Sequence, residues 1–252
     1  MTPGLSIIGM LAVPALGALA CLLLPARATL RLAATVSATE LGLAVQLWRI
    51  VVPGGRSVGV DDLFFVDAFS AFHLIVLALV FLLCSLFAAI YFADGAEHAL
   101  SRGQARRFGA LWLGSLAAMA LVLVADNLGI MWVGMEATTL LTAFLISLHA
   151  NRLSLEAMWK YLLICSVGIA FAFIGTIFTA ASAKGAGSFG ADALLWTRLA
   201  APGVHLDPTL MTFAFVFVLV GYGTKAGLAP IHSWLPDAHS QAPAPGSAMF
   251  SG

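Results

Sequence analysis

Seven stretches of apolar residues recur along this chain, at 4–24, 30–51, 67–92, 108–125, 128–149, 157–181 and 209–228, and a further one begins near 240. Each is near the ~20 residues that a helix needs to cross a bilayer. No other feature limits the fold as strongly, because a soluble domain must cover its surface with polar groups and has nowhere to put so many such segments. Composition agrees. Of 252 residues, 61% are hydrophobic and 10% are charged, against roughly 25% charged in soluble domains. The expected fold is an all-α membrane protein, a bundle of about seven transmembrane helices plus the start of an eighth.

The breaks between segments carry turn and charge signals. Residues 25–31 separate the first two helices, and Pro53, Gly54 and Gly55 close the second. A charged turn fills 94–107, while Asp126-Asn127 and Asn151-Arg152 mark tight hairpins. The longest break, 182–208, is Gly-rich and holds a short amphipathic piece at 191–199, expected on the membrane surface. With the N-terminus outside, the inner loops hold Arg27, Arg31, Arg102, Arg106, Arg107 and Arg152, and the outer ones Arg49, Arg56, Lys184 and Arg198. That asymmetry favours an outer N-terminus. Residues 1–24 contain no Lys or Arg, so they read as a retained first helix rather than a cleaved signal. A net charge of zero speaks against nucleic acid as a partner. Cys21, Cys84 and Cys165 sit in apolar runs without ligand-like spacing and read as buried small hydrophobes.

An ionisable side chain deep in a bilayer costs about 2.5–3.5 kcal/mol, so each one within the apolar segments needs a reason. Glu136 stands mid-helix in NLGIMWVGMEATTLLTAFLIS, too deep for a short side chain to reach water. It is expected to be paired or to line a water path. Lys160, in EAMWKYLLICSVG, lies near its helix start, where snorkelling to the interface competes with a functional role. His73 reads as a hydrogen-bonded interior histidine. Glu40 reads as paired with Arg31 or Arg49 near an interface.

Lys225 has the most informative surroundings, VFVLVGYGTKAGLAPIHSWLPDAH. Gly221, Gly223 and Gly227 flank it, and Pro230 removes a backbone donor and clashes with the preceding turn. A polar run follows: His232, Ser233, Asp237, His239, Ser240 and Gln241. Two readings stand. Either the seventh helix is broken at membrane depth around a transported ion, or it ends in an ordinary interfacial loop. The residue types suit proton movement. A desolvated ammonium releases its proton more readily, a nearby carboxylate restores its hold, and His232 and His239 have side chains suited to passing a proton on.

The run GYGTKAGLAPIHSWLPDAHSQAPAPGSA resembles the signature of the antiporter-like, proton-translocating membrane subunits of the complex I and group 4 nickel–iron hydrogenase superfamily. DNLGIMWVGMEATTL resembles that family's glutamate-bearing fifth helix, and EAMWKYLLICSVGIAFAFIG its lysine-bearing sixth. The resemblance covers 110–252 closely and is nearest to the F-type membrane component of hydrogenase-4. It implies that Glu136 and Lys225 form a gating ion pair, that Lys160 modulates it, and that Pro230 marks the break in the seventh helix. His232 and His239 lie on the loop beyond. It also implies three N-terminal helices at 1–107 and a first inverted repeat at 108–252, which stops where the eighth helix should begin. The eighth-helix histidine or lysine and the second repeat of the family are absent, so the chain is expected to be a fragment or to be completed by another chain.

What the resemblance implies about function is a proton-translocating subunit of a redox-driven complex, in a bacterial inner membrane. Such a subunit would carry no cofactor of its own. Its partners would be other membrane subunits and a peripheral redox arm, either nickel–iron hydrogenase-like or an NADH/quinone module. A subunit of a multisubunit Na+/H+ antiporter and a non-pumping anchor are the alternatives.

Overall fold

The computed structural model describes residues 3–55, 57–93, 95–185 and 191–251. Arg56, Asp94 and Gly252, which enter the sequence reading above, lie outside them. The long helices are α1 (Pro3–Cys21), α2 (Ala26–Val51), α3 (Ala68–Tyr91), α4 (Arg102–Val124), α5 (Leu128–Ile146) and α6 (Arg152–Gly185), followed by a one-turn helix α7 (Trp196–Leu199) and then α8 (Pro208–Ala226). Two short helices, α9 (Trp234–Gln241) and α10 (Ala244–Ser251), end the described chain.

All seven expected apolar segments are helical, and among the described residues six helices are long and apolar enough to cross a membrane. The other, α2, has 26 residues, sufficient length, but Arg27, Arg31, Glu40 and Arg49 make it more polar. The fold is an all-α membrane bundle.

Side-chain caps set several helix starts. Asp67, Asn127 and Asp207 accept from backbone amides of the first turns of α3, α5 and α8. Ser101 and Gln104 form a reciprocal capping box, which satisfies two otherwise orphaned donors. That box starts α4 at Arg102, inside what the sequence reading took as a charged turn, so the helix is longer than the expected 108–125.

The two ends of the bundle differ. At one, Arg27, Arg31, Arg102, Arg106, Arg107 and Arg152 gather at the helix ends, and Arg106 donates to the carbonyls of Leu23 and Leu24 beyond the end of α1. The other end carries a feature absent from the sequence reading, a small antiparallel hairpin of β1 (Val58–Val60) and β2 (Phe64–Val66). Asp61 and Asp62 turn it with positive φ, a conformation that Asp tolerates better than most residues. Phe64 bridges to Ala125, and the Asp126 amide donates to Leu63 O. Asp126 then accepts from both the amide and the hydroxyl of Thr197, seating α7 against the α4–α5 turn.

The α6–α8 pairing is the most extensive in the bundle, and small residues make it so. Gly168, Ala172 and Gly175 on α6 face Thr224, Gly221 and Val218 on α8. A methyl at Gly175 would lie 2.9 Å from the Val218 amide nitrogen. Close backbone approach of this kind drives helix association in lipid, where burial of apolar surface cannot. Gly221→Val forces its side chain into the Ala172 backbone and is expected to cost about 1–3 kcal/mol, read as a lowered melting temperature of the detergent-solubilised protein.

Candidate functional site

The helix bearing Lys225 does end early. Gly227 adopts φ +73, a left-handed conformation that glycine enters without penalty. The Gly227 amide donates to Thr224 O and the Leu228 amide to Gly223 O, the paired bonds of a Schellman cap. Pro230 lies in the connector that follows, before α9 resumes at Trp234.

The neighbours of Lys225 fix the depth of this break. Its Nζ donates to Thr139 Oγ1 at 3.0 Å and to Tyr161 OH at 2.6 Å, and stands 5.0 Å from the centre of the Tyr161 ring. Thr139 is roughly 16 Å along α5 from its start, at 1.5 Å per residue, in a helix of 19 residues. The break therefore lies level with the middle of α5, which decides between the two sequence readings in favour of a helix broken at depth. Irregular backbone is tolerated there only when its polar groups find partners. Trp234 Nε1 donates to Thr224 O at 3.0 Å, and the Ile231 and Leu235 amides donate to Leu228 O and His232 O.

Glu136 is partly buried, and its Oε1 accepts from Ser166 Oγ at 3.0 Å. Its Oε2 is buried without a hydrogen-bond partner. Glu136 and Lys225 are not ion-paired. The ammonium instead rests in a hydroxyl cradle, and Tyr161 OH shares a 2.7 Å bond with Thr142. Lys160 is not in that cradle. Its Nζ pairs with Glu156 at 2.8 Å and with Asp237 of α9 at 2.9 Å, on side chains 42–54% exposed. It fastens α6 to the far side of the break, and it does so through a carboxylate 77 residues away in sequence.

His239 Nδ1 bonds to Ser247 Oγ at 2.9 Å, linking α9 to α10. His232 is exposed on the connector. His73 Nδ1 bonds at 2.9 Å to Phe69 O of its own helix, an exposed contact in place of the interior one expected. It also lines a cavity of about 370 Å³ shared with Met135, Thr138, Lys225 and Phe250. Glu40 corrects its sequence reading. It is fully buried, and neither oxygen has a hydrogen-bond partner, so it pairs with neither Arg31 nor Arg49.

Thr139, Thr142, Tyr161 and Ser166 were missed from sequence, and Asp237 was noted only as part of the polar run, without its partner Lys160. The hydroxyl-bearing residues look ordinary within apolar helices. Helical spacing held the available signal, since Glu136, Thr139 and Thr142 follow one another at three-residue steps along one face.

Fold and site define a class, a multi-pass integral membrane bundle whose late helix breaks at depth beside a half-buried lysine. The chain belongs to the NADH:quinone oxidoreductase/Mrp antiporter transmembrane family, whose profile matches residues 125–252. It is 38% identical over 190 residues to a hydrogenase-4 component F homolog of Methylacidiphilum infernorum (isolate V4), covering 75% of this chain and 40% of that one. Its fold is similar to a chain of the membrane-bound sulfane sulfur reductase, an archaeal respiratory membrane complex (TM-score 0.81, 20% identity, 97% of this chain and 50% of that one). It is also similar to one of the Mrp complex from Dietzia sp. DQ12-45-1b (TM-score 0.81, 24% identity, 100% and 46%). The chain thus spans half or less of the length of each of these proteins.

Tyr161→Phe keeps the ring that packs at 4.9 Å against Trp234 and removes the hydroxyl that Lys225 donates to. A hydrogen bond to a charged group contributes about 1.5–3 kcal/mol. The expected outcome is a lowered melting temperature of the detergent-solubilised protein with its helix content unchanged, measured by circular dichroism.

Proposed function

We propose that this chain is a proton-translocating membrane subunit of a redox-driven complex, of the hydrogenase-4/formate hydrogenlyase type or the NADH:quinone oxidoreductase type, in a bacterial inner membrane. The observation that carries the reading is the Lys225 ammonium at a helix break. Two hydroxyls hold it, and Glu136 stands apart with one oxygen unsatisfied.

In this reading Lys225 and Glu136 carry the proton step. With Lys225 in the Thr139–Tyr161 cradle, Glu136 lies beyond ion-pair distance of the ammonium, which two neutral hydroxyls hold. Approach to Glu136 supplies a counter-charge and favours reloading. Lys160 acts on this indirectly, through Asp237 and the position of α9. His232 and His239 carry protons beyond the break, and Pro230 keeps the connector from refolding as helix. The chain holds no redox centre of its own. Electron transfer takes place in a peripheral arm, nickel–iron hydrogenase-like or an NADH/quinone module, joined through other membrane subunits. The 38% identity to a hydrogenase-4 component F homolog supports the first of these. Likeness in fold to a chain of an Mrp complex supports a second reading, a subunit of a multisubunit Na+/H+ antiporter.

The test uses inverted membrane vesicles containing the assembled complex. Lys225→Ala is expected to lower redox-driven proton uptake at least roughly 10-fold, since at least about 1.4 kcal/mol of support is lost, with the complex still assembled. Unchanged proton uptake would sink the proposal. Cation-driven proton exchange without any electron donor would move the assignment to the second reading.

A further inference from the structure

A second carboxyl, fully buried, lies on another helix, one that precedes the family match at 125–252. Glu40 sits near the middle of α2 with no exposed surface, and both its oxygens lack hydrogen-bond partners. Helices α1, α3 and α4 pack against α2, and their charged groups lie elsewhere. Among its described residues α1 carries no Asp, Glu, Lys, Arg or His. On α4 the charges are Arg102, Arg106 and Arg107, in its first two turns at the arginine-rich end. On α3 the titratable groups are His73, Cys84 and Tyr91. Ser37 and Ser85 touch, which sets the register of α2 against α3. From that level, His73 is displaced along the axis roughly 13 Å farther than Glu40 at 1.5 Å per residue. Arg31 and Arg49 are each nine residues from Glu40 on α2 itself, again roughly 13 Å.

The polar groups nearest in sequence and layer also have their donors committed. Trp112 Nε1 donates to Ser85 Oγ at 2.9 Å. An indole nitrogen only donates, so Ser85 accepts there. Ser37 donates to Ala33 O at 2.9 Å, so the proton in the 3.2 Å Ser37–Ser85 contact comes from Ser85. Ser115 donates to Trp112 O at 2.8 Å. Every hydroxyl proton of this layer is already placed on another acceptor. A carboxylate at Glu40 would be a buried anion without cation or donor, the costliest state for such a group. A metal ion does not resolve this, since among the described residues no three His, Cys, Asp or Glu side chains gather to hold one.

We propose that Glu40 is a second protonation site of this chain, carrying a proton in the resting protein, enclosed by α1 to α4 and separate from the Glu136–Lys225 pair. The ligand is the proton itself. Loss of that proton requires water or a cation to enter the bundle, so the charge state of Glu40 reports on opening of the N-terminal helices.

The test is infrared difference spectroscopy of the intact complex at neutral pH, wild type minus Glu40→Gln. Glutamine mimics the neutral acid in shape. The expected result is a carboxylic-acid C=O band in the wild type that is lost in the variant. A carboxylate band in its place overturns the proposal. Should the variant not assemble, the wild-type complex treated with dicyclohexylcarbodiimide decides the question by peptide mass spectrometry, because this reagent adds to protonated carboxyls in apolar surroundings. An adduct on Glu40 that Na+ does not suppress supports the proposal. No adduct on Glu40, or one that Na+ suppresses, overturns it.

Discussion

A cation in the middle of a bundle of apolar helices is the constraint from which the rest of the structure follows. Lys225 carries a penalty of about 2.5–3.5 kcal/mol at such depth, and the bundle offsets it with oxygen atoms rather than a permanent counter-ion. Thr139 on α5 and Tyr161 on α6 must both reach Nζ, and Thr142 must hold the tyrosine hydroxyl. Three helices are thereby aligned to within a hydrogen-bond length. A fixed ion pair would satisfy the charge more fully but would also lock it. A hydroxyl cradle holds an ammonium and still lets it change partner.

The helix break and the close packing around it serve the same end. Gly227 stops α8 immediately after Lys225, and the carbonyls this frees are taken by the cap and by Trp234. Two tethers then hold α9, Trp234 to α8 and Asp237 to Lys160 on α6. A shift of α9 therefore disturbs the surroundings of Lys225 from both sides. Upstream of the break, Gly168, Gly175 and Gly221 bring the α6 and α8 backbones close, giving the segment beyond the break a stiff support. Hinge against rigid pair is a common division in proteins that change state.

The spans were legible because length and apolarity speak without tertiary help. Lys225, Gly227 and Pro230 raised a break at depth as one of two readings, and the structure puts the break at the level of Thr139. Less legible were features that depend on partners distant in sequence. Asp237 looks like a loop residue until it meets Lys160. Tyr161 looks like core until Lys225 donates to it. The hairpin at 58–66 is too short for strand periodicity to register, and the Ser101–Gln104 box was hidden by the arginines after it. Glu40 was misread for a related reason. Arginines nine residues away on the same helix suggested a pair, but that separation is roughly 13 Å along the axis, and α2 turns the carboxyl inward instead.

In the proposed cycle Lys225 rests on hydroxyls and exchanges them for Glu136 during turnover. High-resolution electron cryomicroscopy of the assembled complex, at rest and frozen during turnover, distinguishes the two positions of the ammonium. Nζ is expected against Thr139 and Tyr161 at rest, with a second population beside Glu136 during turnover. A Lys225–Glu136 ion pair that persists unchanged in both conditions would contradict this cycle.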